Sequence, residues 1–168
     1  MTDPVILPGR DPGVWTGTLA IGDYAEHLAV HELRQMGWIA ELTKETSPYD
    51  IDAMSTASHE RHIEVKGDKA STKWGNVGIP IEECGEPAGA ASPHWDLWCQ
   101  VLAPKGEVWP THIWITERSH LDALLAAHIA TGGDLIWLSH TDRGYGIPQA
   151  LATKFFPLQI DLHKRRAR

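Results

Sequence analysis

The chain has 168 residues, is 42% hydrophobic, and sets 15 Lys and Arg against 22 Asp and Glu for a formal net charge of −7. That length allows one domain with a real core, no apolar run approaches a membrane span, and the acidic balance weighs against a surface built only to grip phosphates. The two cysteines, Cys84 and Cys99, form no CxxC pair, which argues against thiolate zinc or iron–sulfur sites; with no basic-then-apolar leader at the N-terminus, a reducing cytoplasmic location is expected.

Residues 1–15 are rich in Pro and Gly and read as an irregular arm. In "GTLAIGDYAEHLAVHELRQMGW" the residues Ala25, Leu28, Ala29, Leu33 and Met36 fall on one helical stripe, and Gly37 is placed to end it. "WIAEL" reads as a strand, "YDIDAM" as a second and "RHIEVKG" as a third, with "STASHE" as the hairpin between the last two. "VGIPIEE" lies between loop-like segments. "WDLWCQVL" and "VWPTHIWIT" read as two further strands. "ERSHLDALLAAHIATGG" is a helix with Thr116 as candidate N-cap and a glycine pair as its stop. "DLIWLS", "GYGIP" and "QALATKF" close a domain placed at residues 16–157, and 158–168 reads as a basic tail. The expected class is α/β, a mixed sheet with helices packed against it.

The stretch "PYDIDAMSTASHERHIEVKG" carries the chemistry. Alternate strand side chains share a face, so Glu64 and Lys66 project together while Ile63 and Val65 face the core. Asp50 and Asp52 likewise share a face of the preceding strand, and hairpin pairing brings one of them beside Glu64. An E-V-K triplet alone reads as a solvated face with a cross-strand ion pair; the preceding acid changes that reading. Two close carboxylates resist ionising together, and a hard divalent cation relieves the repulsion. The Val65 carbonyl offers a further oxygen. Lys66 then stands where it can orient a nucleophile or stabilise charge on a scissile phosphate.

This segment resembles the PD-(D/E)XK nuclease superfamily, in which an acid ends one strand and Glu-x-Lys follows on the next. "GDYAEHLAVHELRQMGW" is similar to the helix that precedes that motif, and "GNVGIPIEECGEPAGAASPHWDLWCQVL", "TGGD" and "GYGIP" resemble a phage-type, Holliday-junction-resolvase-like branch, for a likeness over about residues 16–150. The resemblance implies a restriction-endonuclease-like core in the order helix, three strands, helix, strand. It implies a DNA endonuclease dependent on Mg²⁺, with Mn²⁺ as a substitute, acting inside the cell and selective for branched or recombination intermediates. Asp50 and Glu64 match its metal ligands, Lys66 its catalytic lysine and Glu26 its helix acid; Asp52 stands beside Asp50 as an alternative. A chain without a separate DNA-reading domain points to a homodimer or to recognition of DNA shape. The rival readings are a catalytically inactive nuclease-fold module that binds nucleic acid or a partner protein, and a hydrolase of small phosphates.

Around this core, Lys69, Lys73 and Trp74 are candidate DNA contacts, as are Arg165 and Arg166 in the tail. Trp95, Trp98, Trp109, Trp114 and Trp137 lie on strand-like segments and are expected in the core. Glu82 is expected at the rim of the site by analogy, with a solvated strand end as the plain alternative for Glu82 and Glu83. The His27/His31 pair reads as surface.

Overall fold

The computed structural model of the chain describes residues 18–68, 75–102 and 110–162. Helix α1 (Thr18–Gln35) is followed by strands β1 (Ile39–Leu42), β2 (Ile51–Met54), β3 (Glu60–Asp68), β4 (Asn76–Glu83), β5 (Glu86–Pro87), β6 (Leu97–Leu102) and β7 (His112–Glu117). Then come helix α2 (Arg118–Ala130), strands β8 (Ile136–Trp137) and β9 (Asp142–Pro148), a short helix α3 (Gln149–Ala152) and strand β10 (Leu158–Asp161).

The strands form two sheets, where the sequence suggested one. A six-stranded sheet runs β1-β2-β3-β6-β7-β10, and a four-stranded sheet runs β5-β4-β9-β8. Every neighbouring pair is antiparallel except β3 and β6, which are parallel. Parallel neighbours need a long crossover. Among the described residues, the crossover from β3 to β6 contains the β4–β5 hairpin and a 3-10 turn at Gly89–Ala91. The architecture is mixed α/β, with a central mixed sheet flanked by helices.

Two apolar clusters cover the two faces of the large sheet. On one, α1 lays Tyr24, Ala25, Leu28 and Leu33 against Ile51, Ile63, Val65, Cys99 and Ile113. On the other, Trp98, Leu102 and Trp114 pack with Leu121 and Leu124 of α2, Val77 and Ile79 of β4 and Ile147 of β9. Each large aliphatic side chain withdrawn from water this way contributes about 1.5–3 kcal/mol. Strand β3 is therefore covered by α1 on one side, and on the other it runs beside the second cluster through its neighbour β6.

Three expectations need correction. The fold does not stop at 157: β10 pairs with β7, and Leu162 beyond it is buried. Thr116 does not cap α2. Glu117 holds the cap position without a side-chain bond, and the Thr116 hydroxyl donates to the Phe155 carbonyl at 2.7 Å. Trp95, Trp98 and Trp114 are buried, but Trp137 is 64% exposed, on a two-residue strand at the edge of the small sheet. Trp109 lies outside the described residues.

Candidate active site

A glycine sets how closely α1 approaches β3. A Cβ on Gly67 would stand 2.7 Å from Ile21 Cγ2 and 3.1 Å from the Ile21 carbonyl oxygen. No side chain fits there without moving the helix. The contact falls on the Ile63, Val65 and Gly67 side of β3, and alternation sends Glu64 and Lys66 to the opposite side.

Asp50 lies between these two faces. It stands just before β2, and extending the register Ile51↔Ile63 places it opposite Glu64. Its amide donates to the Ile63 carbonyl at 3.0 Å, and its carbonyl accepts the Thr43 amide at 2.9 Å. The Thr43 hydroxyl donates to the Tyr49 carbonyl at 2.5 Å, fixing the same peptide from the β1 side. The Asp50 carboxylate then takes the place of a ladder acceptor: Oδ2 accepts the Val65 N–H at 2.7 Å. A group bonded to a neighbouring strand's amide lies in the plane of the sheet, within reach of charges on both faces.

Lys66 Nζ lies 2.8 Å from Glu64 Oε1, and Glu64 is only 8% exposed. Burial pushes the Glu64 carboxyl up; Lys66 opposes this and Asp50 adds to it, and the net shift is upward. Burial likewise raises Asp50 against the Val65 N–H and Lys66, which favour its charge. Glu26, on α1, is pushed up to about 7 by burial, then by Asp50 and Asp23, with His27 and Lys66 opposing. Burial works against the Lys66 ammonium, but Glu64, Asp50 and Glu83 outweigh it and hold Lys66 above its ordinary value. Lys66 is therefore a standing cation, suited to stabilising charge rather than to taking up a proton.

Asp50, Glu64, Lys66 and Glu26 thus share one electrostatic field. Asp52 stands apart: it is exposed, opposite His62 in register, with its Oδ1 3.8 Å from His62 Nε2. The His62 ring stacks on Tyr49, centroids 4.2 Å apart. Glu82 is also displaced from its expected place. It pairs with Arg143, Nη1 to Oε1 at 3.6 Å, whereas the charge of Glu83 is the one that reaches Glu64 and Lys66. Lys69, Lys73, Trp74, Arg165 and Arg166 lie outside the described residues. The sequence reading overlooked Asp68, two residues beyond Lys66 on the same face. It is 6% exposed, and its Oδ2 accepts the Gly78 N–H at 2.7 Å and Gln100 Nε2 at 3.4 Å, tying the two sheets together beside the site. Strand alternation, extended by one more step, was the signal that would have found it.

The donor chemistry of Asp50 and Glu64 fits a hard divalent cation: carboxylate oxygens, desolvated and mutually repelling. The expected three-carboxylate set is not assembled. Among the described residues, no three His, Cys, Asp or Glu side chains converge as a metal-binding group. The physical reason is the sheet itself. Glu26 comes from the α1 side, Glu64 points to the other, and Lys66 draws one Glu64 oxygen to itself.

Residues 21–84, which hold all four of these groups, match the family model described as Protein NO VEIN, C-terminal. No curated protein matches the chain. A solved structure titled as that of a bacterial homing endonuclease, I-Ssp6803I, is similar over 90% of this chain and 97% of that one, at 14% identity and a TM-score of 0.48. No helix among the described residues is long and apolar enough to cross a membrane.

Proposed function

We propose that the chain is a divalent-metal-dependent DNA endonuclease of the PD-(D/E)XK type, with branched or recombination intermediates as its preferred substrates. The observation that carries this reading is the pairing of Asp50 with Glu64 across β2 and β3, with the Lys66 ammonium 2.8 Å from Glu64. Asp50 and Glu64 would hold Mg²⁺ or Mn²⁺, and a bound cation would supply charge neutralisation at the phosphate and a more acidic water. Lys66, positively charged throughout, moves from Glu64 toward the phosphate oxygens as negative charge builds on them. Glu26, on the α1 side of the sheet, supports the site through Asp50; burial and then the Asp50 charge raise its own carboxyl to about 7. The Val65 N–H keeps the Asp50 carboxylate aimed.

The second reading, a nuclease-fold module that binds without cutting, draws on the Lys66–Glu64 ion pair and on the missing three-ligand group among the described residues. One assay separates the two. Purified protein is incubated with linear, nicked, single-stranded and four-way-junction DNA in Mg²⁺, Mn²⁺ or EDTA. Cleavage that needs metal, strongest on the junction, is the expected result. Retention of DNA with no cleavage in either metal supports the binding module, and a homodimer is tested by sedimentation of the same preparation.

A further inference from the structure

The small sheet ends in an open edge that presents an aromatic ring beside a cation. Trp137 is 64% exposed and Ile136 beside it 44%. Arg143 lies directly across from Trp137 in the β8–β9 register, with its guanidinium carbon 5.4 Å from the indole centroid. On its other side Arg143 meets Glu82. Trp137 and Arg143 share one face of the small sheet while Ile136 points to the other, so the indole in water stands beside a guanidinium alone.

The groups around the ring select the occupant. A second copy would set its own Glu82, Glu83 and Asp142 against these same acids, and an apolar polypeptide would leave the guanidinium without an acceptor. An unpaired nucleotide uses both, stacking its base on the indole and offering its phosphate to Arg143. Glu82 and Asp142 disfavour the dense phosphates of a duplex, whereas a single flexible strand can place one phosphate at Arg143 and keep the rest away. The location agrees. Glu82 pairs with Arg143 and Glu83 with Asp142 across β4 and β9, and the Glu83 charge acts on Glu64 and Lys66. At about 4.8 Å per strand, β8 is two strands from that residue, a distance of a few nucleotides.

We propose that Trp137 and Arg143 form a docking platform for an unpaired nucleotide of the nucleic-acid substrate, and that Glu82 holds the guanidinium until a phosphate displaces it. This rests on the nuclease reading, and binding is measured in EDTA so that docking and cleavage are read apart. A labelled short oligothymidylate and a matched duplex are titrated with the full chain by fluorescence anisotropy over a range of salt. Trp137→Ala is expected to weaken oligothymidylate binding about tenfold or more, and Trp137→Phe to restore most of it. Arg143→Ala weakens binding and lowers the log–log salt slope by about one. Glu82→Gln tightens binding, because the guanidinium loses its competitor. The proposal is overturned if the wild-type chain fails to bind the oligonucleotide, or if Trp137→Ala binds it as the wild type does. Equal loss on duplex and single strand overturns it too, as does dissociation of a dimer by Trp137→Ala without change in affinity. A chain that docks the strand but never cuts DNA in Mg²⁺ or Mn²⁺ keeps the platform and loses the nuclease reading.

Discussion

Glu64 on β3 is 8% exposed and Trp137 on β8 is 64% exposed, the reverse of where a carboxylate and an indole ordinarily sit. Topology accounts for both. Strand β3 has neighbours on each side and α1 packed on one face, so the middle of the strand, Ile63 to Val65, is withdrawn from water. Strand β8 is two residues at the rim of the small sheet, so even its largest side chain stays in solvent. A charge kept under cover is electrostatically strong and costly, whereas an aromatic left in water is energetically idle until something lies on it. The two regions should therefore respond to mutation in opposite ways: large losses of both stability and chemistry at β3, and losses of binding alone at β8.

The largest expected effect is at Lys66. Lys66→Met leaves Glu64 buried beside Asp50 with no cation, and removes the group that meets the developing phosphate charge. Cleavage should fall about 100- to 1000-fold in single-turnover assays. Urea unfolding should show a loss of about 1–3 kcal/mol at pH 8. The stability loss should shrink as pH falls, because burial has raised the Glu64 carboxyl and it takes up a proton sooner than an ordinary glutamate. Full activity in this variant would remove Lys66 from the site.

Gly67→Ala comes next. Its new methyl group meets Ile21 and the Ile21 carbonyl, and α1 must shift to admit it. A loss of about 1–3 kcal/mol by urea unfolding is expected, and the shift also carries Glu26 away from Asp50. An unchanged midpoint would mean that α1 does not hold Glu26 in place through this contact.

Glu26 gives a smaller, pH-dependent effect. Its folded-state carboxyl is raised to about 7 from an ordinary 4.5, so between those values the folded state binds more protons than the unfolded one. Its contribution to stability is complete below about 4.5 and is lost as pH rises through about 7. Glu26→Gln should flatten that decline, so thermal unfolding at pH 5 and pH 8 should separate the variant from its parent most at pH 8, with the variant more stable. A parallel pH dependence in the two proteins would place Glu26 outside the shared field.

The smallest stability effect belongs to the other region. Trp137→Ser should change the unfolding free energy by no more than about 0.5 kcal/mol, as for other exposed positions. A loss of several times that would mean that Trp137 supports the small sheet and that the contrast with β3 is misdrawn.

Local patterns in the sequence were enough to locate most of this. The alternation in "RHIEVKG" put Glu64 and Lys66 on one face, and the stripe in α1 marked the helix that covers the other. What local pattern does not carry is long-range pairing. Asp50 and Asp52 are two apart and share a face, so periodicity cannot separate them; the β2–β3 register and the Val65 N–H do. "DLIWLS" has the composition of a core strand, but only the sheet order reveals that β8 is an edge. Strand β10 was read as tail because four residues after Phe-Pro give little pattern, and its partner β7 is some forty residues away. Glu82 and Glu83 are likewise sorted only by the irregular β4–β9 register, which gives Glu82 to Arg143.

The central claim is that the two acids of "DID" divide their roles, Asp50 belonging to a metal-dependent hydrolytic site and Asp52 not. The most direct measurement compares DNA cleavage in Mg²⁺ by the wild-type chain, Asp50→Asn and Asp52→Asn, at matched concentration, after unfolding curves have established that all three are folded. The account expects cleavage to vanish in Asp50→Asn and to persist, within a few-fold, in Asp52→Asn. Cleavage that survives in Asp50→Asn would contradict it.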